Sequence, residues 1–323
     1  MNKSIAILSI LLLFLMGCIG LAPAFQAAPT PTPLPSWTFR PLPSPTNTVT
    51  PAPTFPPTET FTASPVPTQT PTETLTLTPE PKFSFQGPGK VLVPILLYHQ
   101  IGYSKIKDNL YYVSPEEFEK QMFLLHAWGY QTITVRQLGF AISNGAELPV
   151  KPIVLTFDDG NENTYTTAFP ILQKYGFTGT AYIVYYYVGV THYMDKQQIR
   201  ALYEAGWEIG SHGLSHVDLT KRTDRQEAEI VESKLKLQKL LDGIPIDTFS
   251  YPFGAYDSPS LHYLDFAGYI AAVGLGPDMH QGPGNLNYLY RRAIKGTYDL
   301  KTFAQYLPWQ GDLENLPSMT VTP

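Results

Sequence analysis

The sequence predicts an α/β fold built on a mostly parallel sheet, open or closed into a barrel. Three observations carry this. Between Val91 and Val273 short apolar runs alternate with stretches of helical spacing, the pattern that strand–helix–strand crossovers leave in a sequence. Several apolar runs break off in polar, reactive residues: His99, the pair Asp158 and Asp159, and His212 with His216. The first quarter of the chain, dominated by Pro and Thr, cannot bury enough apolar surface to fold, which leaves one domain of ordinary enzyme size.

Taken in order, Lys3 precedes an apolar run from Ile5 to Phe14, short for a membrane-spanning helix and suited to a signal peptide. It ends in Leu15-Met16-Gly17-Cys18, which resembles the lipobox of bacterial lipoproteins. Residues 1–18 are therefore expected to form a lipoprotein signal, with lipidated Cys18 anchoring the mature chain to the cell membrane on its extracytoplasmic side. The alternative is ordinary secretion with Cys18 removed. Cys18 is the only cysteine of the 323 residues, so the folded part has no disulfide and no thiolate metal site. Residues 19–88 are predicted to be a disordered Pro/Thr-rich tether near polyproline II geometry. At roughly 3.1 Å per residue, about 60 such residues have a contour on the order of 180 Å.

The catalytic domain is expected over 89–310, with a flexible tail over 311–323. A strand at Val91 to Leu97 leads to His99. Ser114-Pro115-Glu116-Glu117 opens a helix on which Phe118, Met122 and Leu125 keep one face. A strand from Tyr130 to Thr134, a helix from Val135 to Ser143 and a strand from Pro152 to Phe157 follow, the last ending at Asp158. The spacing then predicts a helix over 165–175, a strand over 178–186, a helix over 195–205 and the short strand that delivers His212. Thr223 with Gln226 is expected to cap a long helix to Leu241. The strand Thr248 to Tyr251, the helix Ser258 to Phe266 and the strand Tyr269 to Val273 complete the pattern. Sites in such folds gather at the carboxyl ends of strands, where His99, Asp158, His212 and Pro252 all fall.

The net charge of -5 and the absence of any basic run argue against a nucleic-acid partner. The 21 tyrosines can stack on sugar faces along a groove or simply fill core and rim. Adjacent carboxylates repel at a strand end unless something compensates them. A divalent metal held by Asp159, His212 and His216 would do so, acidifying water toward about pKa 7 and polarising a carbonyl. Asp158, beside the metal but not on it, would then be the base. Backbone N–H groups in the turn Tyr251-Pro252-Phe253-Gly254 are expected to hold an oxyanion, and His99 to protonate a leaving nitrogen. His192 or His280 could line the cleft. A glycosidase using Asp158 and Asp159 as paired acids fits poorly, because adjacent residues cannot easily flank a sugar at roughly 5 Å or more.

Thr156-Phe157-Asp158-Asp159-Gly160 together with Ser211-His212-Gly213-Leu214-Ser215-His216 resembles the first two motifs of the polysaccharide deacetylases, the NodB-homology or carbohydrate esterase family 4 enzymes. The resemblance implies a distorted (β/α)7 barrel, Asp158 as base, and Asp159, His212 and His216 as ligands of a divalent metal, usually zinc. Two departures stand out: Ser250 occupies the place of the third motif's arginine, and the late Leu-x-His motif is missing after Gly254. Both are similar to the poly-β-1,6-N-acetylglucosamine deacetylase branch, whose acid histidine follows an early strand, as Leu97-Tyr98-His99 does here. Arg291 or Arg292 is the candidate to orient Asp158. The implied function is metal-dependent removal of N-acetyl groups from an N-acetylglucosamine-containing polysaccharide, releasing acetate. Alternatives are action on peptidoglycan or O-acetyl esters, or an envelope-anchored module that binds glycan without turnover.

Overall fold

A computed structural model of the chain describes residues 82–107 and 109–317. The expected signal, Cys18 and nearly all of the expected tether lie outside the described residues. Eight short strands form one sheet: β1 (Ile95–Tyr98), β2 (Gln131–Thr132), β3 (Pro152–Phe157), β4 (Thr180–Ile183), β5 (Glu208–Ser211), β6 (Thr248–Ser250), β7 (Ala271–Val273) and β8 (Arg292–Ala293). Their spatial order is β7-β6-β5-β4-β3-β1-β8, with β2 beside the start of β3, and every pairing is parallel.

One segment ties the two ends of this series together. Leu289 exchanges backbone hydrogen bonds with Ala272 and Gly274 on the β7 side, while Arg292 and Ala293 pair with Leu96 and Leu97 of β1. The sheet thus curls into the distorted barrel that the resemblance implies. The helices between strands are α1 (Pro115–Ala127), α2 (Val135–Asn144), α3 (Phe169–Lys174), α4 (Lys196–Glu204), α5 (Ser233–Leu240) and α6 (Ser258–Ala267), and α7 (Leu300–Ala304) follows the last strand. Thr134 with Gln137, and Asp195 with Gln198, make reciprocal capping boxes that start α2 and α4. No helix among the described residues is long and apolar enough to cross a membrane.

Alternate residues of β3 feed two apolar clusters, as a period of two requires. Ile153, Leu155 and Phe157 join Phe118, Met122 and Leu172 under the helices. Val154 joins Ile95, Tyr182 and Ala271. Burial on both faces explains why the strand reads as a continuous apolar run. At Gly210 in β5 an added Cβ would sit 2.4 Å from the Tyr182 ring, so that ring requires glycine opposite it.

Three expectations need correction. The domain begins before Gly89, because Phe83–Gln86 pairs antiparallel with Ala146–Pro149 and the Phe85 ring lies against Gly145. Residues 311–317 are not a free tail: Leu313 and Leu316 pack on the main core, and Gly311 lies against the Trp128 indole. The long helix is there, running over 226–240 through a π segment (Ala228–Glu232) into α5, but Thr223 does not cap it: Thr223–Arg225 is a 3-10 turn ahead of it with no side-chain capping bond. Gln226 is instead buried and donates to the carbonyl of Leu219 and to the Asp257 carboxylate.

Candidate active site and metal centre

The site is made where β1, β3, β5 and β6 end. The Asp158 N–H is still bonded to the Tyr98 carbonyl (3.1 Å), so its side chain continues the strand into the barrel mouth. Asp159 (φ 73°) and Gly160 (φ 76°) then reverse the chain in left-handed conformations. A short polar side chain tolerates that region, and the reversal sends the second carboxylate away from the first. After β5, His212 remains tied to Ile183, and the loop to His216 passes through left-handed Gly213 (φ 83°) and His216 (φ 56°).

The two carboxylates share His212, whose Nε2 lies 3.7 Å from Asp158 Oδ2 and 3.6 Å from Asp159 Oδ1, but their remaining partners differ. Asp158 is buried and receives a bidentate fork from Arg291, Nη1 to Oδ1 at 2.7 Å and Nη2 to Oδ2 at 2.9 Å. The buried Arg291 also donates to Thr156 Oγ1, Ser250 Oγ and the Gly274 carbonyl. Ser250 Oγ adds a hydrogen bond to Asp158 Oδ2 at 3.1 Å. Burial alone would push Asp158 up, but the Arg291 charge, then His212, the Arg291 hydrogen bonds and His99 hold it well below the usual carboxylate range. Arg291 therefore supplies, from the segment before β8, the guanidinium missing at Ser250. Arg292 turns away, donating to the Pro277 carbonyl and lying over Tyr306.

Asp159 Oδ1 lies 3.3 Å from His216 Nε2 and 3.6 Å from His212 Nε2, and the three donor atoms all fall within 4.8 Å of one another. That Oδ1 is buried yet has no hydrogen-bond partner among the described residues. Ligands at about 2.1 Å on a tetrahedral ion are separated by about 3.4 Å, so the orphaned oxygen and the two nitrogens fit a divalent cation. The His212 Nδ1 lies 2.7 Å from the Ser250 carbonyl, which fixes the tautomer with Nδ1–H as donor and Nε2 free as a ligand. Burial lowers the pKa of His212 against the pull of Asp158 and Asp159, which favours the neutral, ligating ring.

His99 is half-buried, with its ring edge-on to Tyr111. Asn161 Nδ2 holds the carbonyls of His99 and Asp158 at 3.1 and 3.2 Å, so one side chain clamps the strand end at His99 to the one at Asp158. In Tyr251–Gly254 most of the N–H groups expected to face an oxyanion are already used or missing. The Gly254 N–H is spent on the Tyr251 carbonyl and the Tyr251 N–H on Val273; Pro252 has none. Phe253, in left-handed conformation with an exposed ring against His216, keeps the turn's one N–H without a partner among the described residues. Tyr187 and Tyr193 pack against each other with ring centroids 4.5 Å apart and planes tilted by 40°, and burial and the nearby Asp159 charge push both hydroxyls up. His192 and His280 are exposed; His280 pairs with Asp278.

Fold and site together are those of a barrel hydrolase with a candidate metal centre at its strand tips. The polysaccharide deacetylase family model matches residues 145–272. A polysaccharide deacetylase from Bacillus cereus superposes with a TM-score of 0.60 at 30% identity, covering 67% of this chain and 69% of that one. The Streptococcus pyogenes deacetylase PplD, solved with acetate, gives 0.62 at 28%, covering 67% and 98%. The Staphylococcus aureus poly-β-1,6-N-acetyl-D-glucosamine N-deacetylase is 26% identical over 199 residues, 54% of this chain and 68% of that protein. This chain belongs to the polysaccharide deacetylase family. His99 and Arg291 lie on either side of the matched stretch, and only the closed barrel brings them to it.

Proposed function

We propose that this protein is a metal-dependent deacetylase that hydrolyses the N-acetyl groups of an N-acetylglucosamine polymer outside the cytoplasm, held to the membrane by lipidated Cys18 and its Pro/Thr tether. The observation that carries the reading is the Arg291-clamped Asp158 beside the Asp159, His212 and His216 donor set. A divalent ion, on this reading zinc, supplies Lewis-acid polarisation of the amide and an acidified water when bound. Against the upward push of burial, the Arg291 charge holds Asp158 well below the usual carboxylate range, so it is ionised and would take the proton of that water. Arg291 and Ser250 keep that carboxylate ionised and aimed. The Phe253 N–H is the turn's donor to the developing oxyanion, and His99 protonates the departing nitrogen as the C–N bond breaks, leaving acetate and a free amine.

Against a module that only binds glycan, Arg291 supplies from another segment the guanidinium that Ser250 leaves out. Similarity to a deacetylase named for β-1,6-linked substrate supports that linkage over β-1,4. Acetate release from defined β-1,6 and β-1,4 N-acetylglucosamine oligomers tests the proposal. Release is expected, and faster from the β-1,6 series. Tight glycan binding with no acetate from either would sink it.

A further inference from the structure

We propose that Glu229 is the positioning residue of the metal centre, shaping the loop that spreads His212 and His216 around one ion. The inference rests on the metal reading above and extends it to a residue outside every motif of the sequence. Glu229 is a fully buried carboxylate in the π turn Ala228–Glu232. Nearly all of its hydrogen bonding goes to one loop: Oε2 accepts from the Leu214 N–H at 2.7 Å and the Ser215 N–H at 2.9 Å, and Oε1 from the Ser215 hydroxyl at 2.5 Å. Arg225 Nη2, 3.3 Å from Oε1, is the remaining charged partner.

The loop cannot hold this shape by local preference, since Gly213 and His216 both adopt left-handed conformations within five residues. Its carbonyls are held from the other side, Gly213 by the Tyr185 N–H and Leu214 by the Tyr186 N–H. Successive N–H groups pointing the same way form a concavity for an anion, and Glu229 fills it. The fit is close: a Cβ added at Gly213 would sit 2.8 Å from Glu229 Oε2, so glycine there serves both the turn and the approach of the carboxylate. The extra residue of a π turn rotates the helix start relative to a regular α-helix, and here Glu229 faces the loop rather than solvent.

The test measures zinc affinity of the purified full chain by competition with a chromophoric chelator, with metal-free unfolding followed in parallel. Glu229→Gln keeps one oxygen for the Leu214 and Ser215 N–H groups but loses the charge and sets its N–H₂ against the Ser215 hydroxyl and the Arg225 guanidinium, and it is expected to weaken zinc binding about 10-fold while the metal-free protein stays folded. Ser215→Ala removes a single hydrogen bond and is expected to cost about five-fold, and it decides the matter should Glu229→Gln not fold. Glu208→Gln is the comparison: this carboxylate is also buried, but its partners are Thr180, Thr248 and the Arg136 N–H, and zinc affinity should stay within about two-fold. Wild-type affinity in both Glu229→Gln and Ser215→Ala, or an equal loss in Glu208→Gln, overturns the inference alone. A wild-type chain that binds no divalent ion overturns the metal reading and this inference with it.

Discussion

Adjacent carboxylates can do different work only if the backbone parts them, and the left-handed turn at Asp159 does so. Asp158 continues β3 and meets Arg291, whereas Asp159 faces the two imidazoles. Asp158→Asn is therefore expected to keep its metal by elemental analysis and lose about 10²- to 10⁴-fold in kcat, while His212→Ala loses both. Equal metal loss in the two variants would contradict the division of labour. At this scale the sequence shows residue types at strand ends but not their long-range partners. Asp158, Asp159, His212 and His216 are legible because each closes an apolar run. Arg291 is legible only as one of two neighbours. That the Gly254 N–H is spent inside its own turn, and that Asn161 and Glu229 hold the two site loops, depends on contacts that no local pattern records.

Among the elements, starts are written more clearly than joins. The capping boxes at Thr134 and Asp195 are short-range chemistry and mark α2 and α4 to within a residue. Gln226 misleads because it stands where a capping glutamine would, yet it turns inward to Asp257. Asp257 thereby has two tasks. Its carboxylate accepts the Ser260 N–H at the start of α6 and the Gln226 amide, joining α6 to the segment that carries Glu229. Asp257→Ala is expected to destabilise the fold by about 1–2 kcal/mol. That lowers Tm by about 2–8 °C in thermal unfolding. An unchanged Tm would show that the cap and the join contribute nothing.

For the whole molecule, function depends on closing the barrel. The segment from Leu289 to Ala293 bonds β7 at one end and β1 at the other, and so sets Arg291 beside Asp158 and keeps the strand that precedes His99 next to β3. The parallel architecture is legible because strands buried on both faces read as apolar runs. The closing strand is not, being two residues long and headed by an arginine. The paired strand Phe83–Gln86 escapes notice for a similar reason: it is largely exposed and follows a Pro/Thr-rich segment. The central claim is that one ion, held by three donors beside a clamped carboxylate, carries the hydrolysis. Acetate release from an N-acetylglucosamine oligomer, followed before and after chelation and again on adding back zinc, tests it most directly. Release should be lost on chelation and recover at one zinc per chain; undiminished release from metal-free protein would rule out the ion's part in hydrolysis.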